Sequence, residues 1–141
     1  MIGDTPVSAA DYGKSLVGLG FNLIVKDVNR SITFATQVLG ATMFFKTPSF
    51  AAMKLHGRDF MFHADETYRD NPLRGSLASN EARGIGVELR VYGCDPDLAD
   101  AKAREGGWTV LASAMDKPHG LRESMIMDDD GFVWIPSINL K

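Results

Sequence analysis

Phe21, Leu23 and Val25 alternate with Asn22, Ile24 and Lys26, the period of a strand with one face on a core. The period then changes. Asp27-Val28-Asn29 supplies helix-starting residues, Ile32, Ala35 and Leu39 recur at helical spacing with Phe34 and Val38 beside them, and Gly40 takes the C-terminal end. Strand-like runs follow at 41–45, 50–55 and 59–63, with turns at Thr47-Pro48 and His56-Gly57-Arg58. The first half reads β-α-β-β-β.

Residues 66–83 are polar and carry the turn signals Asn71-Pro72, Gly75-Ser76 and Ser79-Asn80, as a linker or a functional flap would. The first pattern then returns. Residues 86–91 alternate, Asp95-Pro96 starts a helix over 98–105, Gly106-Gly107 ends it, and 108–112 form a strand followed by a loop at 114–119. Met125-Ile126-Met127 and Phe132-Val133-Trp134-Ile135 flank Asp128-Asp129-Asp130-Gly131, a hairpin signal, because Gly and Asp tolerate positive φ. Val25 and Val91, like Gly40 and Gly106, stand 66 positions apart, so the chain is an internal duplication. The predicted class is α+β, with tandem βαβββ modules at 18–66 and 84–141, a linker at 67–83 and an extension at 1–17. Within the extension, Ser8-Ala9-Ala10-Asp11 is a candidate capped helical turn.

The 141 residues suit one domain, and 45% hydrophobic with 23% charged residues is ordinary for a globular chain. Net charge is −3 and no dense Lys/Arg run occurs, which argues against nucleic acid or anionic membrane as the main partner. No apolar run approaches the roughly 20 residues of a membrane span, and residues 1–6 lack the order of a secretory signal. Cys94 is the sole cysteine, so no internal disulfide can form and a cytoplasmic location is expected. Cys94 precedes a helix start, which could lower its pKa, but with no base nearby no catalytic role is expected. No nucleophile triad, phosphate-binding glycine loop or paired catalytic carboxylates stand out.

Val25-Lys26-Asp27-Val28 leading to Val38-Leu39-Gly40, Gly120-Leu121-Arg122-Glu123, and Asp128-Asp129-Asp130-Gly131-Phe132 resemble the signatures of the glyoxalase/bleomycin-resistance/extradiol-dioxygenase (vicinal oxygen chelate) superfamily. Asp129 stands where proline is usual. The resemblance, over about residues 18–140, implies that the strands curl into a cup with helices packed outside. It also implies homodimers, some with modules paired across chains. Alternation then sends Phe21, Leu23, Val25, Val87, Leu89, Val91, Phe132 and Trp134 toward the helices. Asn22, Ile24, Met61, His63, Glu88, Arg90, Val133 and Ile135 line the cup, with Gly20 and Gly86.

Metal-using relatives hold a divalent ion through His and Glu side chains from several cup strands, leaving an open position for substrate. Those positions fall on Gly20, Gly86, Ile135 and either Met61 or His63. Three lack a donor, so no metal and no other cofactor is expected. A displaced site from His63, Glu88 and Glu123 is the alternative. His63 alone reads as a surface or supporting hydrogen-bonding group more readily than as a ligand. His119 either leans over the cup mouth or is exposed. Glu88 and Arg90 either pair or each address a ligand, and of Arg122 and Glu123 at most one enters the cup. Phe44, Phe45, Phe50, Phe60, Phe62, Trp108 and Trp134 could form a stacking box, but ordinary packing is favoured.

The resemblance and the missing donors together predict a metal-free protein binding a small aromatic or amphipathic organic ligand. The alternative is an enzyme of the same superfamily (lyase, isomerase or dioxygenase) with a displaced metal or a Glu88/His63 acid–base pair. A third reading is an interaction domain whose cup is filled by its own side chains.

Overall fold

The computed structural model describes residues 8–68, 70, 72–79 and 82–141; residues 1–7, 69, 71, 80 and 81 lie outside them, Asn71 and Asn80 of the linker's turn signals included. α1 (Ala9–Ser15) starts at Ser8, whose hydroxyl accepts from the Asp11 N–H at 3.1 Å. β1 (Asn22–Val25), α2 (Val28–Leu39), β2 (Thr42–Thr47), β3 (Phe50–Leu55) and β4 (Arg58–Ala64) form the first module. β5 (Glu88–Tyr92), α4 (Pro96–Glu105), β6 (Thr109–Asp116), β7 (Leu121–Met127) and β8 (Val133–Asn139) form the second. Between them lie a 3₁₀ turn (Asp65–Tyr68) and α3 (Arg74–Ser79).

The two sheets have equivalent orders, β1-β4-β3-β2 and β5-β8-β7-β6, each with one parallel pair. The caps are where the sequence puts them. Asp27 accepts from Arg30 N–H at 3.1 Å, Gly40 takes a left-handed C-cap at φ 75°, and Asp95 caps α4 ahead of Pro96. The fold is therefore α+β with two tandem βαβββ modules.

α2 and α4 pack against each other, and one core runs through both modules. The Phe34 ring of α2 meets Trp108 edge-on at 5.2 Å and lies 6.1 Å from Trp134. Leu23, Val25, Val91 and Trp134 are buried, as the strand period requires. Val87 departs from expectation: it precedes β5 and is 58% exposed. Phe21 also precedes its strand, but it stacks on Phe60 at 5.1 Å and remains partly exposed.

Two further differences are local. Residues 114–116 belong to β6 rather than to a loop, because the β6/β7 register shifts twice and lets pairing continue to Asp116 and Arg122. The 128–132 connection is wider than a two-residue hairpin. Asp128 closes it, its carboxylate accepting from the N–H groups of Asp130 and Phe132 at 3.0 Å each, with Gly131 at φ 90°.

Candidate functional site

Alternation along β4 buries Phe60 and Phe62 against the core and sends Met61 and His63 to the opposite, partly open face. On β2, strict alternation would place only one of Phe44 and Phe45 there. The register shift between Met43 and Phe45 breaks it, and both phenyl rings line this face. Phe50 of β3 pairs across from His63, their rings 4.7 Å apart. α1 lies across the opening. Ala9, Tyr12, Gly13 and Leu16 complete, with Thr47, a cavity of about 450 Å³. Its walls are apolar and aromatic with few polar groups, as a small-molecule site requires.

His63 brings an imidazole to this cavity. Its Nδ1 lies 2.6 Å from the Asn22 side-chain oxygen, so Nδ1–H donates and Nε2 carries the lone pair. Burial pushes the His63 pKa below the ordinary histidine value, which keeps the ring neutral at physiological pH. Ile24 is the β1 partner of His63 in the same register.

The second sheet carries a charged cluster instead. The Arg90 guanidinium bonds Glu88 at 3.0 Å and also bonds Glu123, whose carboxylate lies 3.4 Å from His119 Nε2. Arg90 is the β5 partner of Ile135, and Glu123 the β7 partner of Ser137. The Arg90–Glu123 ion pair therefore spans β8 on the face shared by Ile135 and Ser137. Ile135 beneath it is 1% exposed. Arg122 points to the other face, where it bonds Asp97 and Asp116.

The eight cup positions thus separate. Asn22, Ile24, Met61 and His63 gather on the first sheet, and Met61 and His63 line its cavity. Glu88 and Arg90 border a different groove of about 410 Å³ between the modules, walled by Phe21, Phe60 and Trp134. Val133 and Ile135 are buried. Glu88 and Arg90 are paired with each other, and His63 lines the first cavity while Glu88 borders the groove between the modules.

The residues present do not fit the family's metal. Gly20 and Gly86 offer no side chain, Ile135 is an apolar group under an ion pair, and His63 is engaged by Asn22. Among the described residues no three His, Cys, Asp or Glu side chains are grouped to hold an ion, which also counts against the displaced set of His63, Glu88 and Glu123. Cys94 is driven the opposite way from an activated thiol. Burial, with Asp95 beside it, pushes its pKa up to about 11.

The aromatic residues divide between both uses. Phe60, Phe62, Trp108 and Trp134 pack in the core, while Phe44, Phe45 and Phe50 line the cavity, so packing accounts for only part of the set. α1 and Tyr12 are cavity components not foreseen from the sequence. Their signal was there: Ala9, Tyr12, Gly13 and Leu16 fall at i, i+3, i+4 and i+7.

Comparison with known proteins agrees with this architecture. The family model described as "Glyoxalase/Bleomycin resistance protein/Dioxygenase superfamily" matches residues 19–135. A glyoxalase/bleomycin resistance protein/dioxygenase from Nocardioides is similar over 92% of this chain and 90% of its own, at 22% identity and TM-score 0.64. A family enzyme from Burkholderia phytofirmans PsJN gives 86% and 97%, at 19% identity and TM-score 0.68. A glyoxalase-related enzyme from Fulvimarina pelagi gives 88% and 89%, at 17% and 0.68. At such identities the likeness concerns the fold alone. No curated protein matches the chain.

Proposed function

We propose that this chain, which belongs to the Glyoxalase/Bleomycin resistance protein/Dioxygenase superfamily, binds a small aromatic or amphipathic molecule without a metal. The observation that carries this reading is the first cavity: Phe44, Phe45, Phe50 and Tyr12 surround a space of about 450 Å³ with a neutral His63 as polar anchor. Rings of this kind bury a planar ligand, and one or two polar groups orient it. The donor chemistry at Gly20, Gly86 and Ile135 points away from a metal centre.

A ligand that binds only the folded state raises the melting temperature. A melt screen over planar aromatic, aliphatic and dicarbonyl compounds should favour the aromatic ones, and Phe50→Ala should abolish the shift. Stoichiometric metal, found by elemental analysis of protein purified without chelator, would sink the reading.

The chain is read as a homodimer. Val17 and Leu19 before β1, and Ile85 and Val87 before β5, are strongly exposed and lead into one edge strand of each sheet, a pattern that suits a second copy. Sedimentation should give twice the chain mass. A second reading, a metal-free proton-transfer enzyme, is favoured by the neutral His63 oriented by Asn22. Turnover lost in His63→Gln with ligand affinity kept would support it.

A further inference from the structure

α1 lies outside residues 19–135, the span matched by the family, yet Ala9, Tyr12, Gly13 and Leu16 form one wall of the first cavity. Little else holds it there. No residue of α1 is buried, and among the described residues all its hydrogen bonds stay within residues 8–16. It meets the sheet through side chains over the cavity, the Tyr12 ring lying 5.5 Å from Phe44. The tether to β1 adds no support. A Cβ on Gly18 or Gly20 would meet open space, and residues 16–21 arch over a hollow of about 390 Å³.

The closed position also carries a local cost. The Tyr12 hydroxyl is shut off from solvent without a hydrogen-bond partner among the described residues, and moving α1 outward returns it to water. Once off the sheet the helix cannot persist, since its seven residues fall short of the about 12–15 that are stable alone in water. Departure of α1 is therefore also its melting, and it uncovers Phe44, Phe45 and Phe50.

We propose that α1 is a lid on the first cavity: the helix melts away to admit a ligand, and a bound ligand holds it in place. This rests on the reading of the first cavity as the binding site. A molecule seated among Phe44, Phe45 and Phe50 touches α1 only while the lid is shut, so its binding favours that position. Ser8 sets the balance from outside the cavity, because its hydroxyl caps α1.

Trypsin reads the lid directly. Residues 1–13 contain no Lys or Arg, so its first site is Lys14, inside α1, and cutting there needs the helix unfolded. The native full chain should be cut after Lys14, and naphthol at about ten times its Kd should slow that cut about tenfold. Phe50→Ala, which should not bind the probe, should be cut equally fast with and without it. Ser8→Ala should quicken the cut, and both association and dissociation of naphthol, about fivefold each. Its naphthol affinity and urea transition should match wild type, and Ser8→Asp, which keeps a cap, should restore all the rates. No cut at Lys14 without ligand, a cut that bound naphthol does not slow, or equal association rates in wild type and Ser8→Ala each overturn the lid and leave the cavity as a binding site. No saturable naphthol binding by wild type, or binding indifferent to Phe50→Ala, overturns the cavity reading and the lid with it.

Discussion

The Asp130 carboxylate accepts a hydrogen bond at 2.8 Å from the backbone N–H of Lys26, 104 residues earlier in the chain. Lys26 follows β1 of the first module, and Asp130 lies in the turn that closes the second. Arg83, at the end of the linker, adds to the joint. Its buried guanidinium lies 3.9 Å from Asp130, bonds Asp65 and donates to the Ile24 carbonyl at 3.1 Å. The neighbouring Asp129 pairs with Arg30 at 2.7 Å, and Arg30 in turn stacks on Trp108. One acidic turn therefore fastens module to module.

Removing that acceptor should loosen the joint. Asp130→Ala leaves the Lys26 N–H and part of the buried Arg83 charge uncompensated, a loss of about 2–4 kcal/mol. Asp130→Asn keeps an acceptor and should lose less. Urea unfolding of both variants measures the difference.

Asp128 gives the chain a pH dependence of unusual sign. Burial outweighs the bonds donated to its carboxylate by Trp134 Nε1 and the N–H groups of Phe132 and Asp130, and its pKa is pushed up from 3.8 to about 6. A raised folded pKa contributes stability that is complete below the unfolded value and lost as pH rises through the folded one. Across that window the loss is about 3 kcal/mol. The neighbouring Asp130 is shifted the same way by burial. Asp128→Asn should therefore flatten the stability profile between about pH 4 and 6. A variant profile as steep as the wild type would contradict it.

Much of this fold was legible because period and punctuation agree. Leu23/Val25, Phe34/Val38 and Gly40 announce strand, helix and stop, and the 66-residue offset announces the second module. The site was only half legible. His63 and Met61 follow from alternation, but Phe44 and Phe45 share a face through a bulge that no glycine marks. Ile135 was expected on an open face. The Arg90–Glu123 pair that spans its strand joins residues 33 apart and forms only in the folded sheet.

Cys94 should behave as a packing residue. Its thiol donates to the Leu39 carbonyl at 3.6 Å, and its raised pKa leaves almost no thiolate at neutral pH. Native protein should not react with an aromatic disulfide reagent at pH about 8, and urea should release one thiol per chain. Rapid labelling of the native protein would contradict this.

Two glycines are required where the linker meets the closing turn. A Cβ at Gly131 would sit 2.6 Å from the Ala82 Cα, and one at Gly84 2.5 Å from the Phe132 Cα. Gly131 also has φ 90°. Gly131→Ala should lose about 2–5 kcal/mol, from strain plus collision. Gly120→Ala, at φ 92° but facing open space, should lose only about 1–2 kcal/mol. Equal losses would mean that backbone conformation, not close approach, governs both sites.

Ile135→Glu tests how far the second sheet has left metal chemistry. The substitution supplies the carboxylate that metal-using relatives carry at this position, but puts it beneath the Arg90–Glu123 ion pair at a site 1% exposed. One added carboxylate meets one guanidinium already shared by Glu88 and Glu123, so its desolvation is poorly offset. Gly20 and Gly86 would still contribute no donor. The expected outcome is a stability loss of about 3 kcal/mol or more in urea, with no saturable Ni²⁺ or Zn²⁺ binding by calorimetry. A variant as stable as wild type would mean that Arg90 and Glu123 do not cover this strand, and tight metal binding would mean that donors beyond these positions complete a site.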